Sequence, residues 1–395
     1  MPASHPSHPH HTVLDLEAMI SSRARAVDVS GIRRVFELGA KLKNPINLSI
    51  GQPDFPVPDV VKQAAIRAIE NDRNGYTVTQ GTPELLAAIT AHLREDLGWD
   101  APSDELGLMV TSGTSGALLL AYMAMLNPGD EVVIGDPYFV IYPALGTMTG
   151  AKAVYCDTYP DFRMTAARIE PLLTERTKLV IINSPGNPSG IVLSNDELRE
   201  IVDLCESRGV LLVSDEIYDA FTYDDALEDG RCPSPARFTQ RMLLIRGFGK
   251  SYGCTGWRLG YAAGPRTLIQ QMAKLQQYTF VCAPSMAQAG AAHAFEVDLS
   301  PHVKAYQHRR DMIEEGFRGV TEVAHAGGAF YTFVKVPARL GLTATQFVEQ
   351  AIERSVLTIP GNVFSRRDTH FRISYAAPDE SVRKGVAILR ELMCG

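Results

Sequence analysis

RGFGKSYGCTGWRLGYAAG, residues 246–264, contains a lysine that can be read in two ways. Gly249-Lys250-Ser251 is the end of a phosphate-cradling loop, G-x-x-x-x-G-K-[ST], in which successive backbone N–H groups curl around an anion. That loop needs its leading glycine at position 244, and the chain has Leu244 there. Residues 241–245, RMLLI, read instead as a buried strand that runs straight into the lysine. Arg258, eight residues beyond Lys250, supplies a second cation, and GYAAG reads as another strand. The P-loop reading fails, and the lysine stands at the end of an apolar strand among small residues.

Composition narrows what such a lysine serves. At 395 residues the chain is long enough for two domains and a large core. Hydrophobic residues make up 45% and charged residues 21%, a globular balance rather than a disordered one. The 38 basic and 45 acidic side chains leave a net charge of −7, with no basic block; nucleic acid and anionic membrane are not expected as partners. The six cysteines stand singly, with no C-x-x-C pair, which fits reduced thiols in a cytoplasmic protein rather than zinc or redox motifs. The longest apolar run, LLLAYMAML at 118–126, is too short to span a bilayer. The His- and Pro-rich start, MPASHPSHPHHTV, lacks the apolar core of a signal peptide and reads as a disordered tail over 1–15.

From about 59 to 265, strands and helices alternate. Asp59 to Asp72 has helical spacing, and Thr82 and Pro83 offer an N-cap and first-turn residue for a helix through Leu97. Strand runs follow at LGLMV (106–110), EVVIG (131–135), AVYC, KLVIIN (178–183), VLLVSDE (210–216) and MLLIRGF. Helices are expected between them, including one at 165–173 and one opened by a Ser194/Glu197 capping box. Short apolar runs separated by helices are what a sheet covered on both faces requires, so the fold class is α/β with a doubly wound, mainly parallel sheet. Beyond about 284 the pattern changes to helix, AFYTFVKV (329–336), helix (344–354), FRISYA (371–376) and a last helix. This predicts a large domain over 49–284 and a smaller α+β domain from 16–48 and 285–395, with a helix around 31–43 packed on the latter. Ligands of such sheets bind beyond the carboxyl ends of the strands. Five ends carry polar or aromatic residues: Ser112 to Ser115, Asp136 to Phe139, Asn183 to Asn187, Asp215 to Tyr218, and Lys250.

These residues, in this order, resemble class I/II aminotransferases of the fold-type I pyridoxal phosphate family. The resemblance runs from about Gly31 to the C-terminus and rests on IGQPDF (50–55), Y-x-x-x-x-G (76–81), PGNPSG (185–190), SDEIY (214–218), K-x-x-x-x-x-G-W-R-L-G-Y (250–261) and FRISYA. It implies that Lys250 is the Schiff-base lysine and proton shuttle, since an amine must be neutral to attack an aldehyde. It implies that Asp215 keeps the pyridine nitrogen protonated, making the ring an electron sink. Asn187 and Tyr218 match the groups that hydrogen-bond the phenolic oxygen, and Phe139 matches the ring stacked on the pyridine. Gly113, Thr114 and Ser115 at a helix start, with Arg258, correspond to the phosphate site. Tyr76 matches a tyrosine that reaches the phosphate from the neighbouring subunit, which implies a homodimer. Gly51 and Arg372 correspond to the substrate site, with Arg372 as the fork for the α-carboxylate. Taken alone, Asn187 before a proline is a turn pair and Phe139 a core ring; the combination carries the assignment.

One departure stands out. Many relatives have Ser or Thr three residues before the lysine and Ser directly before it, where this chain has Gly247 and Gly249. The missing contact is expected from Ser115 or water. The implied reaction is transfer of an amino group from an L-amino acid to a 2-oxo acid by a ping-pong route. A lyase of the same fold is the alternative; a regulator with a fused DNA-binding domain ranks below both, as no basic helix-turn-helix segment precedes residue 31. The donor side chain stays open, with Arg33 and Arg34 as candidates for a distal carboxylate and Tyr138, Phe330 and Tyr331 for an apolar pocket.

Overall fold

The computed structural model describes residues 14–394 apart from 30, 32–34, 36–38 and 40–41. Most of the expected helix around 31–43, Arg33, Arg34 and nearly all of the His-rich tail therefore lie outside the described residues. Twelve strands are described: β1 Ile46–Asn47, β2 Leu106–Ser112, β3 Glu131–Asp136, β4 Lys152–Asp157, β5 Thr177–Asn183, β6 Leu211–Asp215, β7 Leu243–Gly247, β8 Leu259–Pro265, β9 Tyr331–Lys335, β10 Val356–Leu357, β11 Ile359–Pro360 and β12 His370–Ser374. Seven of them form one sheet in the order β2-β8-β7-β6-β5-β3-β4.

The apolar strand runs are buried on both faces, and successive residues serve opposite layers. Val132, Ile134, Leu179, Ile181, Val213, Leu243 and Ile245 join a cluster with Leu118, Leu120 and Met272 from the helices Gly113–Met125 and Arg266–Thr279. Their neighbours Val133, Val180, Ile182, Leu212 and Leu244 join Leu85, Ile89, Leu93, Leu198 and Ile201 from the helices Pro83–Leu97 and Asn195–Arg208 on the other side. Each buried aliphatic side chain of this kind contributes about 1.5–3 kcal/mol through removal from water. The helix starts follow their sequence signals: Thr82 accepts from the Leu85 N–H, Pro83 occupies the first turn, and Ser194 and Glu197 close a capping box. The expected helix at 165–173 shortens to Ala166–Ile169, and Pro171 stands in a tight turn over Glu170–Leu172.

β8 is antiparallel to both β2 and β7, whereas β7-β6-β5-β3-β4 are parallel. β2 thus runs the same way as β7. The carboxyl ends of β2, β7, β6, β5 and β3, and the start of β8, lie along one edge of the sheet. A third buried cluster holds the antiparallel sheet β11-β12-β9 against the helices Ser300–Phe317, Ala344–Glu353 and Asp379–Cys394. Tyr218 and Phe221, from the turn after β6, pack into that cluster and so join it to the large sheet's functional edge. Among the described residues no helix is long and apolar enough to cross a membrane.

Candidate active site

A cavity of about 360 Å³ lies beyond that edge of the large sheet, and Lys250, Asp215, Arg258 and Arg372 line it together. Lys250 sits on the helical turn Phe248–Ser251 that follows β7, buried, with its Nζ donating to the Gly51 carbonyl. Burial, with the cations Arg372 and Arg258 nearby, holds its amine down to about 8, so a substantial neutral fraction exists at neutral to mildly basic pH.

Asp215 ends β6 and is buried. Tyr142 Oη donates to its Oδ2 at 2.8 Å, Asn183 Nδ2 donates to its backbone carbonyl at 2.8 Å, and Oδ1 has no hydrogen-bond partner. Burial pushes its carboxyl up to about 6, against the pull of the Tyr142 hydrogen bond. A buried carboxylate oxygen without a partner fits a cationic or N–H ligand group.

At the β5 end, Asn183 Oδ1 accepts the Asn187 N–H at 2.8 Å, and Asn187 Oδ1 accepts from Arg372 Nη1 at 2.9 Å. Arg372 comes from β12, so this bond crosses between the two sheets. Its Nη2 donates to the Ser49 carbonyl at 2.9 Å, its Nε has no partner, and the Tyr331 and Phe364 rings lie 4.4 Å and 4.6 Å from the guanidinium carbon. Among the described residues no carboxylate pairs with it. A fully buried guanidinium between two rings without a counter-ion is suited to a ligand carboxylate. Gly51 stands opposite: a Cβ there would lie 2.7 Å from Tyr331 Oη.

The other end of the cavity is built for an anion. Gly113, Thr114 and Ser115 open the helix Gly113–Met125, whose first N–H groups have no intrahelical partner. Gly113 has φ +68°, and a Cβ at this residue would meet Arg258 Nη2 at 2.8 Å, so glycine is needed for both shape and space. Arg258 itself adopts φ +53° at the start of β8, which turns its side chain back over the helix. At the two departures from the family pattern, a Cβ on Gly247 would lie 2.7 Å from Ile217 Cδ1 and 3.0 Å from Thr114 Cγ2, and one on Gly249 would lie 3.3 Å from Thr255 Cα. The Thr114 side chain occupies the space into which a residue at 247 would grow. Thr255, which the sequence reading passed over, also lines this end.

Phe139 and Tyr218 line the cavity as well, Phe139 edge-on to Tyr142 at 5.9 Å and Tyr218 with its hydroxyl 3.2 Å from that of Tyr331. Tyr76 does not line it; the side chain is 89% exposed. Of the three aromatics considered for a side-chain pocket only Tyr331 reaches the cavity. Phe330 is core, and Tyr138 packs on Tyr155 at 5.3 Å beside a separate cavity. The sequence reading also missed Tyr142, which stands in the first turn of the helix Ile141–Thr149 just after Phe139.

The family model described as "Aminotransferase class I and II" matches residues 43–389. A probable aspartate aminotransferase of Methanocaldococcus jannaschii is 35% identical, covering 95% of this chain and 100% of the relative. A probable N-acetyl-LL-diaminopimelate aminotransferase of Bacillus subtilis is 33% identical over 94% of this chain and 95% of its own. The solved structure of Thermus thermophilus aspartate aminotransferase with maleate superposes with a TM-score of 0.87 at 31% identity, covering 94% of this chain and 99% of that one.

Proposed function

Since this chain belongs to the class I and II aminotransferase family and is a transaminase, we propose that it holds pyridoxal 5'-phosphate in the cavity through Lys250. The chemistry supplied by that cofactor is an aldehyde that captures amines and a ring that accepts electrons from the substrate's α-carbon. The observation that carries the reading is the facing pair: a depressed amine at 250 and an unsatisfied carboxylate oxygen at 215 in one cavity.

Each residue has a distinct task. Asp215 Oδ1 would bond the ring nitrogen and keep it protonated; Tyr142 holds the carboxylate and Asn183 the backbone carbonyl of the same residue. Thr114, Ser115 and Arg258 bind the phosphate at the helix start, Phe139 stacks on the ring, and Asn187 and Tyr218 hold the phenolic oxygen. Arg372 grips the α-carboxylate of an L-amino acid, which orients the Cα–H bond toward Lys250. Lys250 Nζ, when neutral, would take that proton as base and give it back as acid. A 2-oxo acid then runs the sequence backwards on the same residues.

The reading includes a large cofactor domain over 49–284 and a small domain from 16–48 and 285–395, the latter supported by the buried cluster around β9 and β12, while Phe333, Leu357, Ile359 and Phe364 pack into the large sheet's cluster. It includes a homodimer in which Tyr76 reaches the partner's phosphate. Tyr76, Val78, Tyr278 and Val281 are exposed, and their segments are joined by a Gln276 side-chain bond to the Thr79 carbonyl at 2.7 Å. Exposed apolar side chains gathered in this way would suit an interface between copies of the chain. The protein with added pyridoxal phosphate should show a near-ultraviolet to visible band that an amino acid bleaches. That response should be absent in Lys250→Ala; an unchanged response in that variant overturns the assignment.

A further inference from the structure

The segments that carry the cavity residues have a second side. On β6 and the turn after it, each site residue is followed by a carboxylate that leaves the cavity: Asp215 by Glu216, Tyr218 by Asp219. Both converge on one guanidinium, that of Arg246 on β7. Its Nε donates to Glu216 Oε2 at 3.0 Å and lies 3.2 Å from Asp219 Oδ2, and its Nη2 lies 2.9 Å from Glu216 Oε2. Nη1 donates at 2.8 Å to Asp96 on the helix Pro83–Leu97. Ser214 and Ser234 donate to the other Glu216 oxygen at 2.8 Å and 2.7 Å. Arg246 and Glu216 are wholly buried, and none of the three lines the cofactor cavity. Lys250 stands four residues beyond Arg246, on the helical turn Phe248–Ser251 that follows β7.

We infer that Arg246, with Glu216 and Asp219, positions the reaction: one guanidinium clamps the segment carrying Asp215 and Tyr218 to the segment carrying Lys250, fixing the separation of the two groups that act on opposite ends of the cofactor. The inference rests on the assignment of Lys250 and Asp215 above. Stability alone does not require such a cluster, because apolar residues of similar volume are often equal or better. What directional ion pairs add is register. Glu216 and Asp219 are set by the same short segment as Asp215 and Tyr218, so a slip at Arg246 moves the site residues with it. Misplacement of a reacting group by about 1 Å can cost about 100-fold in rate.

The test uses the cofactor-loaded enzyme and the variants Glu216→Gln, Asp219→Asn and Arg246→Lys. Glutamine keeps the shape and the serine contacts, and Arg246 retains Asp96 and Asp219, so Glu216→Gln should fold with a melting temperature close to wild type. The expected result is a fall in kcat of about tenfold with the amino-donor KM changed less than about threefold. The pH midpoint of the bound cofactor's absorbance should also move by at least about half a pH unit. Arg246→Lys, which keeps charge but not the fork, should show the same signature more strongly; should it fail to fold, the two carboxylate variants decide. Folded variants with wild-type midpoint and kcat reduce the cluster to a purely structural role and overturn the inference. A wild-type protein with no cofactor band removes the site assignment itself, and the inference with it.

Discussion

Two wholly buried arginines stand on opposite sides of the same segment, and their surroundings differ in kind. Arg246 has three carboxylates within 3.2 Å. Arg372 has an amide oxygen, a backbone carbonyl and two aromatic faces, and among the described residues no carboxylate. The first is an ion cluster in which three carboxylates surround one guanidinium. The second is a buried charge without a counter-ion among the described residues, which is why it is proposed for a ligand carboxylate. Burial therefore does not tell the two charges apart; the presence or absence of counter-charged carboxylates does.

That contrast can be broken by mutation. Arg372→Gln should lower kcat/KM for the amino donor by about 10³, the cost of losing a buried bidentate carboxylate contact, with little loss of melting temperature in the cofactor-free protein. Arg246→Met should do the reverse in kind, lowering unfolding free energy by about 3–5 kcal/mol in denaturant titrations because it strands buried carboxylates. Equal destabilisation by the two substitutions would erase the distinction.

A third change sharpens it from the acidic side. Burial holds the Asp215 proton up to about pH 6 in the folded chain, well above the ordinary 3.8 of an aspartate. Folding above pH 6 therefore carries the full cost of this buried charge, and the cost fades as pH falls toward 4. Asp215→Asn should raise the stability of the cofactor-free protein at pH 8 by up to about 3 kcal/mol, with the gain shrinking to nothing near pH 4, while transamination is lost. Thermal melts across that range measure it. The smallest expected effect is that of Tyr142→Phe, which removes a hydrogen bond worth about 1 kcal/mol from the ionised carboxylate. Cofactor-loaded Tyr142→Phe should lose about fivefold in kcat and shift the absorbance midpoint, with the fold intact.

What the sequence made legible follows from where the signal is local. The strands were readable because runs such as LVII feed two apolar layers at once, and the helix starts because Thr82 and Ser194 cap through side chains a few residues away. The residues converging on the cavity were readable because five strand ends share one edge. Tyr142 and Arg246 were not, nor was the bond from Asn183 to Asp215, since each acts on a partner at least 30 residues distant, a pairing that no spacing reveals. The direction of β8 was equally silent: an apolar run carries no arrow. Tyr76 is the opposite case, singled out by its motif yet lying outside the cavity of its own chain.

The reversed strand has a consequence in time. Among the described strands β2 pairs only with β8, which leaves the ribosome about 150 residues later, on the order of ten seconds or more of synthesis. Throughout that interval a seven-residue apolar strand has no neighbour, and such an edge invites pairing with other nascent chains. A fragment ending before Leu259 should therefore aggregate, and the amide hydrogens of β2 should be among the last to gain protection as the full chain emerges.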